Sequence, residues 1–228
     1  MDPQALALGG LWYVVFLLSL TCHEASHALA ALMGGDDTAA AGGQVTLNPL
    51  PHIRREPVGT IAVPLLSFAL NNWMLGWASA PYSSLWESRF PRRAAWMALA
   101  GPAANLMLAV VAAVLINVGL AAGVFQIPAS ITFFSVVEAV DGQSASAQFL
   151  SILFTQNILL MTFNLLPVPP LDGNTAIGLF MSERVARRWF DLTRDQPYML
   201  LGLVAAWYLF GEIFWPVLRF AVKLLYWV

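Results

Sequence analysis

The sequence predicts an all-α protein that crosses a lipid bilayer several times, and three observations carry this prediction. Hydrophobic residues make up 59% of the chain and charged residues only 11%, whereas soluble domains carry about a quarter charged residues. The apolar residues gather in segments long enough to cross a bilayer. The nine Trp suit positions at the level of the lipid headgroups. We therefore expect one integral-membrane domain over residues 1–228.

Four segments have the length and apolar character of transmembrane helices. They run from about Ala5 to Met33, from about Ala94 to Val124, from about Ala147 to Leu166, and from about Tyr198 towards the C-terminus. No Lys or Arg precedes the first segment, which predicts a retained helix rather than a cleaved secretion signal. Glu212 and Pro216 interrupt the last segment, so its end can either cross the membrane or lie along the interface, and the sequence leaves both open.

A fifth apolar segment, Val58 to Tyr82, allows two interpretations. It is long enough to cross the membrane once. However, Pro64 and the consecutive residues Asn71 and Asn72 can also turn it back to the side of entry. Irregular backbone within a membrane must be covered by protein or face a water-filled cavity. A re-entrant element would therefore pack against the other helices.

Charge and cysteine content exclude two classes of protein. The formal net charge of −2 argues against a nucleic-acid partner. The single cysteine, Cys22, excludes an internal disulfide.

The first segment contains the sequence HEASH, residues 23–27, which fits the pattern H-E-x-x-H. On a helix, His23 and His27 lie on one face and can bind one metal ion together. Glu24 lies beside them, where it can accept a proton from water activated at the metal. The alternative is a pair of histidines held by hydrogen bonds within a helical bundle. In a membrane helix with no other charge nearby, the metal site is the favoured interpretation.

A catalytic zinc site needs a third protein ligand besides two histidines. His52 is the only other histidine, and Cys22 points away from the face shared by the pair. Asp172 is the one acid at the end of an apolar segment among helix breakers, in FNLLPVPPLDGN. From the residues alone, Asp172 is equally well explained as a metal ligand or as a helix cap. Glu138 and Glu212 are the next acids to test.

Three motifs together resemble the site-2 protease family of intramembrane zinc metalloproteases, in its compact bacterial branch without PDZ or CBS domains. They are HEASH, NLLPVPPLDG (residues 164–173) and AGPAANL (residues 100–106). The resemblance implies one Zn²⁺ per chain, bound by His23, His27 and Asp172. It also implies that Glu24 is the general base and that Asn164 holds the substrate or the developing oxyanion.

The third motif is less informative by itself. Small residues such as Gly101 usually allow close helix packing in membranes, and we assign Gly101 to that role. Asn105 is expected to make a polar contact near the site. The chain departs from the compact branch at Arg54, where that branch often has Asp, and in GWASAPYS, where that branch has GWAKPVPV. Neither departure affects a predicted metal ligand.

Two arguments favour the re-entrant interpretation of Val58 to Tyr82. A fifth span would place the HEASH end of the first helix and Asp172 at opposite faces of the membrane, too far apart for zinc–ligand bonds of about 2 Å. Four spans also place all nine arginines of the connecting segments on one face, which predicts that this face is cytoplasmic. A short β hairpin is also expected near it.

The predicted function is that of a zinc-dependent endopeptidase of the cell (inner) membrane. Its expected partners are the lipid bilayer and a transmembrane-protein substrate, which must be unwound before its peptide bonds are accessible. Asn71 and Asn72 are expected to pair with the opened substrate backbone. Two alternatives remain: a membrane protein that transports or senses metal, and an inactive adaptor that binds transmembrane helices.

Overall fold

A computed structural model describes residues 3–142 and 144–226. Its framework consists of four long helices: α1 (Pro3–Gly34), α6 (Pro91–Ala121), α7 (Ala145–Asn164) and α10 (Gln196–Tyr226). Each is long and apolar enough to cross a membrane, which confirms the prediction of four spans and an all-α fold. The shorter helices are α2 (Thr38–Ala41), α3 (Pro49–Arg55), α4 (Val63–Asn71), α5 (Ser84–Arg89), α8 (Asp172–Ala176) and α9 (Glu183–Thr193).

The helix ends follow the local sequence. Pro91 begins α6, where a missing N–H costs no helical hydrogen bond. Ser144 caps α7 by accepting a hydrogen bond from the Ser146 N–H, and Ser83 caps α5 in the same way from Trp86. These caps set where the chain leaves the connecting segments and enters each helix.

The helices α1, α6 and α7 pack against one another, and α10 packs mainly against α7. The core between them contains buried aromatic and branched side chains, including Trp12, Phe16, Ile116 and Ile152. In α7, 72% of the apolar stretch is buried by protein, against 17% in α10. Thus α7 is the central helix of the bundle and α10 lies at its edge, with most of its surface facing outwards.

The apolar segment between α3 and α5 doubles back on itself. It begins with a π-helical turn, Val58–Ala62, continues through α4, and reverses at Asn72, which has a left-handed φ of 60°. Pro64 follows the π turn and lacks the N–H that a regular helix needs. The segment then returns through residues 73–83 without regular structure.

Two glycines hold the ends of this segment together. The Trp77 N–H donates a hydrogen bond to the Gly59 carbonyl at 3.1 Å, so the start and the end of the segment lie side by side. A Cβ atom on Gly59 would overlap the Trp77 carbonyl oxygen, and one on Gly76 would overlap the Gly59 carbonyl oxygen. The segment is therefore re-entrant, and the described residues contain no fifth span.

The expected β hairpin is present, as β1 (Phe125–Gln126) paired antiparallel with β2 (Glu138–Ala139). It joins α6 to α7 at the end of the bundle opposite the HEASH sequence, whereas the sequence placed both at the same face. Strands of two residues are too short to leave an alternating pattern in the sequence. The C-terminal segment does not turn along the interface at Pro216, since α10 continues to Tyr226. Buried Phe214 and Leu218 anchor it on both sides of the proline.

Candidate metal centre

His23 and His27 lie one turn apart on α1 and turn inwards. The two residues are 4% and 5% exposed, and their Nε2 atoms are 3.0 Å apart. The four-residue spacing therefore places both imidazoles at one point, as predicted for H-E-x-x-H on a helix.

Asp172 begins the short helix α8, just after the proline-rich turn that follows α7. Its Oδ2 atom lies 3.1 Å from the Nε2 atom of His23 and 3.3 Å from that of His27. Gly173 makes this approach possible, because a Cβ atom there would overlap the carbonyl oxygens of Leu165 and Leu166. Asp172 is thus brought to the histidines, and the helix-cap interpretation does not account for its position.

In each imidazole, the hydrogen bond made by Nδ1 determines whether Nε2 carries a proton. His27 Nδ1 lies 2.8 Å from the Met97 carbonyl oxygen, and His23 Nδ1 lies 2.6 Å from Asn105 Oδ1. Both oxygens are acceptors, so each Nδ1 carries the proton and donates. In the neutral imidazoles, each Nε2 then presents a lone pair. Two nitrogen lone pairs and a carboxylate oxygen therefore converge without a proton between them.

This arrangement fits a zinc ion. Ligand atoms about 2.0–2.2 Å from a tetrahedral Zn²⁺ lie roughly 3.3–3.6 Å apart, close to the separations of 3.0 to 3.3 Å seen here. Asp172 Oδ2 is buried and has no hydrogen-bond donor in the described part of the chain. Across residues 3–142 and 144–226, these three residues form the only such cluster of possible metal ligands.

Gly101 leaves the space that an ion needs. A Cβ atom on Gly101 would overlap His27 Nε2 and lie 2.6 Å from His23 Nε2. Its role is therefore not only helix packing, as assigned from the sequence: α6 presents bare backbone to the imidazoles. No feature of the sequence shows which small residue of the motif faces the histidines.

Glu24 lies next to His23 on α1 and is 5% exposed. Within the described residues its carboxylate forms no hydrogen bond or ion pair, and its oxygens are not among the fully enclosed atoms that lack a partner. A buried carboxylate with no partner is costly in a membrane and is therefore usually functional. Its position is compatible with the predicted general base.

The other polar residues considered from the sequence lie outside the cluster. Asn164 ends α7, half-buried, and its amide donates to the Leu160 carbonyl at 3.1 Å. Its role towards the substrate stays a prediction. His52 is buried in α3, where its Nε2 lies 3.2 Å from the Thr46 carbonyl oxygen. Glu138 lies in β2 and Glu212 on the exposed face of α10, so neither replaces Asp172.

A polar cluster beside the site ties the re-entrant segment to its neighbours, and the sequence did not predict it. Glu87 is buried, accepts a hydrogen bond from the Tyr82 hydroxyl at 3.1 Å, and forms an ion pair with Arg194. Burial, and then the carboxylates of Glu87 and Asp172, raise the pKa of the Tyr82 hydroxyl, which therefore stays a donor.

Asp36 makes a second connection, at the end of α1. It accepts hydrogen bonds from the Ser83 N–H at 2.7 Å and from the N–H and hydroxyl of Thr38. Burial opposes ionisation of Asp36, but these three donors outweigh it and hold the pKa of the carboxyl below its usual value. The end of the re-entrant segment is thus fixed to the helix that carries the histidines.

Comparison with known proteins gives a consistent result. The sequence model of peptidase family M50 matches residues 11–208. A Bacillus subtilis protein, "Putative zinc metalloprotease YwhC", is 32% identical over 212 residues, which cover 90% of this chain and 84% of that protein. "Putative zinc metalloprotease Rip2" of Mycobacterium tuberculosis is 30% identical over 220 residues, covering 93% of this chain and 76% of that protein. No solved structure matches the chain significantly.

Proposed function

Since the chain belongs to peptidase family M50, the zinc metalloprotease family of the site-2 proteases, we propose that it cleaves membrane-protein substrates within the bilayer. The bonds cleaved lie in or near transmembrane segments, and the site opens to the cytoplasmic side of the cell (inner) membrane. The chain itself is a zinc-dependent protease with several membrane helices.

One observation carries the proposal: two lone pairs and one carboxylate oxygen meet within 3.3 Å of one another inside a membrane bundle. Such a group is strongly repulsive unless a cation lies among its members. We assign His23, His27 and Asp172 as the ligands of one Zn²⁺ per chain. Zinc bound there would polarise the scissile carbonyl and lower the pKa of a water molecule.

Glu24 and Asn164 supply the remaining chemistry. Glu24 accepts the proton of the attacking water and delivers it to the leaving amine, which a partnerless carboxylate next to a ligand can do. Asn164 donates to the substrate or to the developing oxyanion after its amide leaves the Leu160 carbonyl. Both roles rest on position and on the family motif.

The return segment of the re-entrant element offers a place for an unwound substrate. Along this segment, the backbone of every second residue is hydrogen-bonded to the rest of the protein. Leu75 bonds to Ser67, Trp77 to Gly59, and Ser79 to Gln44. In the described part of the chain, no backbone group of Gly76, Ala78 or Ala80 has a partner. This alternation is typical of a strand with one open edge, which an extended peptide can extend.

Asn71 and Asn72 are the other residues predicted to pair with the substrate, and variants can separate their contribution from that of the open edge. Both lie exposed at the tip of the turn. Ala78→Pro removes one donor from the open edge and is expected to weaken cleavage of a transmembrane substrate while zinc content is retained. The double change Asn71→Ala and Asn72→Ala serves as its comparison. Full cleavage by the double variant would remove the asparagines from the proposal but not the edge.

Zinc content tests the ligand assignment. Purified protein is expected to hold about one Zn²⁺ per chain, and Asp172→Ala should lower this strongly because a catalytic site needs three protein ligands. Asp195→Ala, outside the cluster, is the matched control. Unchanged zinc in Asp172→Ala would overturn the assignment. A metal transporter or sensor would bind zinc without cleaving peptides, and an adaptor would do neither.

Accessibility of single cysteines tests the sidedness. In a Cys22→Ser background, Ala7→Cys and Ser144→Cys should react with an impermeant thiol reagent in intact cells. Thr38→Cys and Ser182→Cys, at the site end, should be protected. The opposite pattern would place the site outside the cytoplasm and contradict that part of the proposal.

A further inference from the structure

Behind His23 lies a group of polar side chains that the proposed mechanism does not use. Ser19 in α1, Asn105 in α6 and Asn157 in α7 are each 0% exposed. They form a continuous chain of hydrogen bonds across three helices that ends at His23. We propose that Asn157 and Ser19 are positioning residues, which fix the orientation of the Asn105 amide and thereby select the tautomer of His23 that can bind metal. This rests on the proposed function only in taking His23 as a ligand.

The orientation of each amide follows from one backbone carbonyl. Asn157 Nδ2 lies 2.7 Å from the Leu153 carbonyl oxygen, which can only accept, so the amide nitrogen must lie on that side. The same nitrogen donates to Ser19 Oγ at 2.9 Å. The Asn157 oxygen therefore faces Asn105.

Asn105 must then present its nitrogen to Asn157 and its oxygen to His23. Its Nδ2 lies 2.9 Å from Asn157 Oδ1 and 3.4 Å from the Ser19 carbonyl oxygen, and both are acceptors. Its Oδ1 lies 2.6 Å from His23 Nδ1. An acceptor at that distance holds the proton on Nδ1 and leaves Nε2 free to bind a cation.

A reversed Asn105 amide would change the tautomer of His23. If the Asn105 amide turned over, its NH₂ group would face His23 Nδ1 and favour a proton on Nε2. That proton would occupy the position at which the metal binds. The chain of amides therefore does more than hold helices together, which is the usual role of buried polar residues in membranes.

Zinc affinity of the purified full-length protein, measured by competition with a chelator, tests the proposal. Asn157→Leu removes the nearer of the two acceptors that orient Asn105, and is expected to weaken zinc binding about tenfold, the lower end for residues that orient a metal ligand. Ser19→Ala leaves the Leu153 carbonyl to hold Asn157, so a smaller loss of about threefold is expected. Thr155→Val is the matched control, since Thr155 is equally buried on α7 but bonds only within its own helix.

A rescue variant separates positioning from a general structural role. Both oxygens of Asp accept, so Asn105→Asp holds the Nδ1 proton of His23 in either orientation. In that background, Asn157→Leu should cause no further loss of zinc affinity. The same tenfold loss in both backgrounds would overturn the proposal.

The tautomer itself provides a measurement independent of zinc and of proteolysis. Imidazole ¹⁵N shifts of the zinc-free protein, with His23 identified through a His23→Gln variant, report which nitrogen carries the proton. The Nδ1-protonated form should dominate in the wild type and in Thr155→Val, and decrease in Asn157→Leu and Ser19→Ala. Unchanged shifts in both of these variants would contradict the inference, even if the protein proved not to be a protease.

Discussion

The helices α7 and α10 have similar hydropathy but opposite surroundings. Both are long and apolar enough to cross a membrane, yet 72% of the apolar stretch of α7 is buried by protein and only 17% of that of α10. Polar side chains of α7, such as Asn157, are enclosed and hydrogen-bonded, whereas Glu212 and Arg219 of α10 are exposed. Hydropathy thus shows that a helix enters the membrane, while the enclosed polar groups show where the chemistry lies.

The two acids within spanning helices offer the strongest test of this contrast. Glu24→Gln removes a proton acceptor at the site while keeping its shape, and is expected to reduce peptide hydrolysis by about 10²–10⁴-fold with zinc content unchanged. Glu212→Gln, on the exposed face of α10, is expected to leave hydrolysis near the wild-type rate. Both are measured with a model transmembrane substrate in reconstituted vesicles.

Either of two results would break the contrast. Glu24→Gln with turnover within a few-fold of wild type would remove the general base from the mechanism. An equal loss in Glu212→Gln would show that α10 participates in the reaction.

Two glycines, one within α6 and one within α10, give the next largest difference. Gly101→Ala places a methyl group against both imidazoles and should weaken zinc binding about tenfold or more. A Cβ atom on Gly211 meets nothing within 4 Å, so Gly211→Ala should leave zinc binding unchanged and stabilise the helix by up to about 1 kcal/mol. Zinc competition and thermal unfolding of the two variants measure both effects. Equal zinc affinities would show that the imidazoles can move away.

At Gly202, α10 contacts the turn that carries Asp172. A Cβ atom on Gly202 would overlap the Pro169 carbonyl oxygen, in the turn that carries Asp172. Gly202→Ala is therefore expected to reduce hydrolysis several-fold by displacing that turn, less than Gly101→Ala, because no ligand is contacted directly. Steady-state hydrolysis compared with Gly211→Ala checks this, and equal rates would mean that the turn absorbs the change.

The smallest expected effect concerns the connection at the end of α1. Asp36→Asn weakens three hydrogen bonds and should lower the melting temperature at neutral pH by about 2–4 °C. The pKa of Asp36 is lowered in the folded protein, so its contribution is present above the usual pKa of 3.8 and is lost as the pH falls through the folded-state pKa. The difference should therefore shrink below about pH 4. Asp37→Asn, an exposed neighbour, should show no such difference at any pH.

The membrane spans and the pairing of the two histidines could be predicted from the sequence, because both depend on patterns within a single helix. Apolar length gave the four spans, and the H-E-x-x-H spacing placed His23 and His27 together. The distribution of arginines favoured a re-entrant element, which the contact of Trp77 with Gly59 bears out.

What escaped prediction depends on contacts between distant helices. The sequence does not show that Gly101 faces the imidazoles or that Asn157 stands behind Asn105, since both depend on how α6 is rotated. Pro216 suggested a break in α10, but buried side chains on both sides hold the helix in line. The position of the hairpin followed from packing rather than from any strand pattern.

The proline-rich turn that carries Asp172 has a consequence for biosynthesis. The hydrogen bond from Trp77 to Gly59 joins two residues of one short segment, whereas Asp172 reaches His23 across most of the chain. Contacts between neighbouring residues close early, and those between distant residues close late. When α1 and α6 have been inserted, both histidines, Glu24 and Gly101 are already in the membrane, but Asp172, the proposed third ligand, has not yet been synthesised. We therefore expect the nascent enzyme to be inert until the turn after α7 and the helix α8 that carries Asp172 have been made, which protects other newly inserted helices from cleavage.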